Sequence, residues 1–157
     1  MTETRVDTPR IRGPWSREQA YSYLDTAVIP LRLAANTPSG FPVVLSLWFV
    51  RDGEQLLAAV HEDAKIARRL LTDPRVGYEV APNESPYMGV RGRAIARLER
   101  EGAESTLRIL LERYLGSTDS RLGRFLLGRA HEEWVVRLDL ETLDSWDYRA
   151  RMNQVND

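Results

Sequence analysis

FPVVLSLWFVRDGEQLLAAV, residues 41–60, decides the architecture. Pro42 to Val50 is apolar on both faces except at Ser46, the pattern of a strand buried on both sides. Asp52-Gly53 is a hairpin signal, because a tight turn needs the positive φ that glycine supplies. Leu56 to Val60 reads as the return strand. A strand, a tight turn and a strand predict antiparallel pairing here, against a doubly wound parallel sheet.

The flanks extend the pattern. Residues 1–14 are polar, with Pro9, Gly13 and Pro14, and read as a flexible N-terminal arm. Ser16 and Gln19 fit a capping box, since each side chain can satisfy an open donor of a new helix. Ala20, Tyr21, Leu24 and Ala27 then recur at helical spacing, which predicts a helix over 16–27. Ile29 to Ala35 reads as a strand, and TPSG at 37–40 as a turn.

Beyond residue 60 the period changes. Ala64, Ile66, Ala67, Leu70 and Leu71 predict a short helix, with Glu62 and Asp63 at its positive end and Asp73-Pro74 closing it. Val76 to Ala81 is a strand, and the loop PNESP at 82–86 leads to a long strand from Tyr87 to about Glu99. Along it Met88, Val90, Ala94, Ala96 and Leu98 face one way, and Arg91, Arg93 and Arg97 the other. Helices are predicted over Glu101–Leu115, ended by Gly116, and Asp119–Leu127, closed by Gly128. Trp134 to Leu140 alternates as a last strand, trailed by Trp146 and Tyr148. About six strands and four short helices imply a mainly β (α+β) domain over 15–157, a small antiparallel barrel with flanking helices.

Composition removes several functions. The chain has no cysteine, which excludes disulfides, thiolate catalysis and cysteine-ligated metals. No stretch of 18 apolar residues predicts a membrane span. The first ten residues carry no apolar signal region, so a cytoplasmic location is expected. A net charge of −1 argues against a nucleic-acid partner. Of 22 cationic residues only Lys65 is lysine, leaving 21 arginines. A genome rich in G and C accounts for that bias, and sets Lys65 apart as an ammonium retained.

Motif chemistry is sparse. Phosphate loops, dinucleotide fingerprints and nucleophile elbows are all absent from the sequence. His61-Glu62 and His131-Glu132 start like zinc motifs, but Lys65 and Val135 stand where a second histidine is needed, so no metal site is expected. Arg68/Arg69 and Arg91/Arg93 are either ordinary surface arginines or phosphate ligands, whose forks match phosphate oxygens. Trp48 is either core or the wall of a flat-ring pocket. Ala58 and Ala59 allow close packing, or room for a ligand.

The segment 41–99 resembles the FMN-binding split-barrel family that includes pyridoxamine 5′-phosphate oxidase. The carrying residues are FPVVLSLWFV with its Asp52-Gly53 turn, LLAAVHEDAKIARRLLTDPRVGYEV, and YMGVRGRA. The later helical pair and Trp146-Asp147-Tyr148 resemble bacterial members. The resemblance implies a six-stranded split barrel that forms a homodimer, with flavin at the interface. It implies that Lys65 binds the flavin phosphate, helped by Arg69 or Arg68. It places Val44, Leu45, Ser46, Leu47 and Trp48 along the ring, with Ala59 and Val60 on the return strand and Tyr87 and Arg91 on the later one. Ala59-Val60 stands where the oxidase has a Tyr-Thr pair. The implied function is an FMN-dependent oxidoreductase passing hydride to or from a small molecule. The alternatives are a deazaflavin-dependent reductase, a flavin or haem carrier without turnover, and a dimeric scaffold without cofactor.

Overall fold

The computed structural model describes residues 8–154. In chain order, β1 (Arg10–Arg12), α1 (Arg17–Thr26), β2 (Leu31–Ala35), β3 (Val43–Leu47), β4 (Val50–Asp52) and β5 (Gln55–His61) precede α2 (Lys65–Thr72). Then come β6 (Arg75–Val80), β7 (Met88–Glu99), α3 (Ala103–Leu115) and α4 (Arg121–Gly128). A 3-10 turn at Ala130–Glu132 leads to β8 (Glu133–Leu140), β9 (Thr142–Asp147) and α5 (Arg149–Asn153).

The strands form one curled sheet in the order β3-β2-β6-β7-β8-β5-β4, with β9 also on β7 and β1 on β9. All pairings are antiparallel except β1 with β9. The twelve-residue β7 causes the curl. Its first half pairs with β9 over Met88–Arg91 and its second half with β8 over Ala94–Glu99, while β6 lines its other edge. A strand shared in this way cannot keep its partners in one plane. The concave side gathers Leu31, Leu33, Phe49, Leu56, Val80, Val90, Leu138 and Leu143, each without exposed surface, and Leu24 of α1 covers it.

Several expectations are corrected. The sheet has nine strands among the described residues, not six. Pro42–Val50 is not one strand covered on both faces. It breaks at Trp48-Phe49, where the Phe49 N–H donates to the Tyr114 hydroxyl (3.2 Å) and that hydroxyl donates to the Ile29 carbonyl (2.9 Å). Among the described residues β3 pairs only with β2, and Val44 is 64% exposed although Leu45 and Leu47 pack on the core. Part of the expected arm is also structured. Pro9 is buried, and Arg10–Arg12 pairs with β9 while Ile11 packs on the core; residues 1–7 lie outside the described residues. The Trp146 segment is a strand, β9, whose buried positions include Thr142 and Ser145 and so hide the apolar period. Gly128 is the last residue of α4, not its terminator, and Arg129 caps it.

Candidate functional site

Two clefts concentrate the cationic residues. The first lies beside α2. Lys65 opens that helix, and Arg68, Arg69 and Thr72 follow along it; Asn36, Thr37 and Pro38 of the β2–β3 turn and Asp73 complete a cleft of about 580 Å³. The apolar residues Ile66, Ala67 and Leu70 hold α2 against the sheet, which turns the cations outward. Lys65, Arg68 and Arg69 form no ion pair among the described residues.

The carboxylate in this lining is already engaged. Asp73 accepts from Arg75 through Nε (2.9 Å) and a terminal guanidinium nitrogen (2.8 Å), and from Asn36 Nδ2 (3.0 Å). Those bonds, Arg75 foremost, hold its carboxyl well below the usual carboxylate range. Asp63, largely exposed, lies 3.9 Å from His61 Nδ1 and is not part of the lining. The α2 cleft thus presents uncompensated positive charge to an anion.

The second cleft, about 790 Å³, lies on the outer face of the sheet. Arg10, Arg12, Arg32, Arg91 and Arg93 line it with Glu79, Asp144, Val44 and the small residues Ala34, Gly77 and Gly92. Ala34 belongs to this cleft, and Asn36, two residues on, to the first, so β2 connects them.

The structure gathers some of the residues expected from sequence and scatters others. Lys65 and Arg69 line the α2 cleft, and Val44 and Arg91 the outer one. Leu45 and Leu47 turn to the core, and Ser46 is exposed on the other side of β3. Trp48 stacks on Tyr114, with centroids 5.1 Å apart and planes within 6°. Val60 is buried, Ala59 is half-buried, and Tyr87 is 45% exposed beside β9, where its carbonyl accepts from the Tyr148 N–H (2.9 Å). None of these seven lines either cleft. Sequence reasoning missed Asn36, Thr37, Arg10, Arg12 and Arg32. The alternation Arg10-Ile11-Arg12 was the available signal for two of them.

Both histidines sit away from the clefts. His61 Nδ1 accepts the Asp63 backbone N–H (3.1 Å), and its Nε2 lies 3.0 Å from both Glu132 and an Arg129 guanidinium nitrogen. His131 is exposed, its Nε2 lying 3.8 Å from Glu132. No helix among the described residues is long and apolar enough to cross a membrane.

No family model and no curated protein matches this sequence. Solved structures do match in shape. A conserved hypothetical protein of Mycobacterium tuberculosis, Rv2991, superposes with a TM-score of 0.75 at 20% identity, over 91% of each chain. An F420 reductase gives 0.68 at 20% identity, over 83% of this chain and 98% of that one. The haem storage protein HutZ of Vibrio cholerae gives 0.60 at 18% identity, over 83% and 90%. The fold they share with this chain is the split barrel of pyridoxamine 5′-phosphate oxidase-like proteins.

Proposed function

We propose that the chain binds a flavin-type cofactor through its phosphate in the α2 cleft and moves hydride between that cofactor and a small molecule. The observation that carries this reading is a set of three cations without ion pairs among the described residues, Lys65, Arg68 and Arg69, around one cleft whose carboxylate is already neutralised. A phosphate monoester is nearly doubly charged at neutral pH. An ammonium serves it as a point charge and a guanidinium as a two-pronged donor. The donor set therefore fits a phosphate.

The strand next to the cleft suits the rest of such a cofactor. β3 offers a backbone edge unpaired among the described residues, and the exposed Val44 side chain, to a flat ring. FMN and a deazaflavin both combine a phosphate with a flat ring, and either, when bound, supplies the hydride chemistry itself. The chain's contribution is then to bind and orient. The likeness to an F420 reductase, F420 being a deazaflavin, supports keeping both cofactors in the reading. Haem is the weaker reading, because neither His61 nor His131 lines either cleft. The free edge of β3, with Phe41 77% exposed beside it, supports a second copy of the chain as its cover.

Titration of the purified protein with FMN and, separately, with F420 tests the reading through the change in cofactor fluorescence. At least one should bind saturably. Lys65→Ala should weaken it about tenfold, as expected for one charge-assisted contact. Absence of saturable binding of either cofactor overturns the proposal. Sedimentation of the same samples should show a dimer.

A further inference from the structure

We propose that the outer face of β2, β6, β7, β9 and β1 is a second anion site, for a small organic molecule carrying two or more carboxylate or phosphate groups. This rests on the preceding reading only in taking that molecule as the substrate of the bound cofactor.

The strand register builds the site. Arg32 lies opposite Glu79, Glu79 opposite Arg91, Arg91 opposite Asp144, and Asp144 opposite Arg12. One row across five strands therefore alternates in sign. The next row runs from Val44 through Ala34 and Gly77 to Arg93, with Thr142 opposite Arg10 beyond it. Five arginines face two carboxylates across the cleft. The small residues leave a hollow floor between them, and about 790 Å³ is room for a small molecule.

Neighbouring opposite charges on a sheet ordinarily close on one another. Here they do not. Arg10, Arg12, Arg32 and Arg91 make no ion pair among the described residues, and Arg93 makes a long one, 3.7 Å to Glu141. The Arg91 guanidinium lies over Trp146 instead, 5.1 Å from the ring centroid. One oxygen of Asp144, between Arg91 and Arg12 in the row, is buried with no hydrogen-bond partner among the described residues. The guanidiniums are thus not consumed by their own sheet, even where a carboxylate needs them. Their forks remain available to an outside anion, two donors at a time.

The occupant is a small molecule by shape and charge. The small residues leave about 790 Å³ between the arginines, and the chain's net charge of −1 argues against a nucleic acid. A second copy of the chain would bring five arginines and two carboxylates against the same set across a two-fold axis, an excess of positive charge on both sides. Val44 lines this cleft and belongs to the strand proposed to carry the ring, so an anion held here lies beside it.

Citrate is the probe, followed by calorimetry on the full chain at low salt, with and without saturating FMN. The variants are Arg12→Gln/Arg93→Gln and, separately, Lys65→Ala. Wild type should bind citrate saturably. The double variant should lose about tenfold or more in citrate affinity and keep its FMN affinity. Lys65→Ala should show the reverse. Arg32→Gln alone repeats the test should circular dichroism show the double variant unfolded. Non-saturable citrate binding by wild type overturns the proposal, as does unchanged citrate affinity in the arginine variants. An equal loss of citrate in Lys65→Ala also overturns it, by placing citrate in the α2 cleft. A variant that changes sedimentation but not citrate affinity marks the face as a contact between copies and likewise overturns the proposal. Failure of FMN to bind leaves the citrate result standing, so the two readings fail separately.

Discussion

A missing methyl group at residue 92 lets β9 lie across β7. A Cβ built on Gly92 would collide with the Thr142 carbonyl oxygen and stand 2.9 Å from the Tyr78 hydroxyl. The near obstacle is backbone, held because the Tyr78 hydroxyl donates to that same carbonyl (2.7 Å) and the Arg93 N–H donates to Thr142 Oγ1 (3.0 Å). It cannot rotate away as a side chain would. Gly92→Ala should therefore cost at least about 3 kcal/mol, the upper range for overpacking. The urea midpoint measures it, and a change within about 0.5 kcal/mol would show that β9 moves freely. The glycine itself was visible as the end of Val90-Arg91-Gly92. Its obstacle was not, since Thr142 belongs to a strand without an apolar alternation to announce it.

Elements announced by local rules were legible, and those made by distant contacts were not. The start of α1 follows from four residues: Ser16 Oγ accepts the Gln19 N–H (3.2 Å), and Gln19 returns the bond to the Ser16 N–H (2.8 Å). Gly116 ends α3 in the left-handed conformation for an equally local reason. The end of α1 is different. Arg113, on α3, donates to the carbonyls of Leu24, Asp25 and Ala27, each at 2.8 Å. Those carbonyls have no partner inside α1's last turn, and a cation there also suits the helix dipole. No spacing rule joins positions 86 to 89 residues apart. Arg113→Met should cost about 3 kcal/mol, because three acceptors, those of Leu24 and Ala27 part-buried, lose charged donors. Arg113→Lys keeps the charge without the fork and should recover only part of it. Thermal unfolding of the two variants checks the order. Equal losses would show that packing of the side chain, not its hydrogen bonds, secures the helix end.

At the scale of the whole molecule, near-neutral net charge conceals a strong separation of charge. Cations without ion pairs among the described residues collect in two adjoining clefts, while about half of the described carboxylates are paired with other arginines. Lys65 and Arg69 could be anticipated because they lie within one helical stretch. The arginine face could not, since its members come from several strands and meet only through the register. The paired carboxylates are expected to contribute to the acid limit of the fold. Asp147 is held low chiefly by Arg149, with the Trp15 indole N–H as a further donor, and Asp73 chiefly by Arg75. A carboxyl depressed in the folded state binds fewer protons there than in the unfolded chain. Its stabilisation is present above the unfolded value near ~4 and is lost as pH falls through the folded one. Buried tyrosines are expected to contribute to the alkaline limit. Burial pushes Tyr23 up to about 12 and Tyr78, beneath the outer cleft, further still. For these groups the sign reverses: their stabilisation is complete below the unfolded value near ~10 and is lost as pH rises through the raised one. Glu133, raised by burial, has the opposite sign to those two carboxylates: its stabilisation is present below its unfolded value and is lost as pH rises through the raised one. The urea midpoint should therefore be nearly level from about pH 6 to 9.5 and fall on both sides. Tyr78→Phe should lower the plateau, because the Thr142 carbonyl loses its donor, and should move the alkaline fall to higher pH while leaving the acid fall in place. An alkaline limb that does not move in that variant would show that Tyr78 does not set the limit.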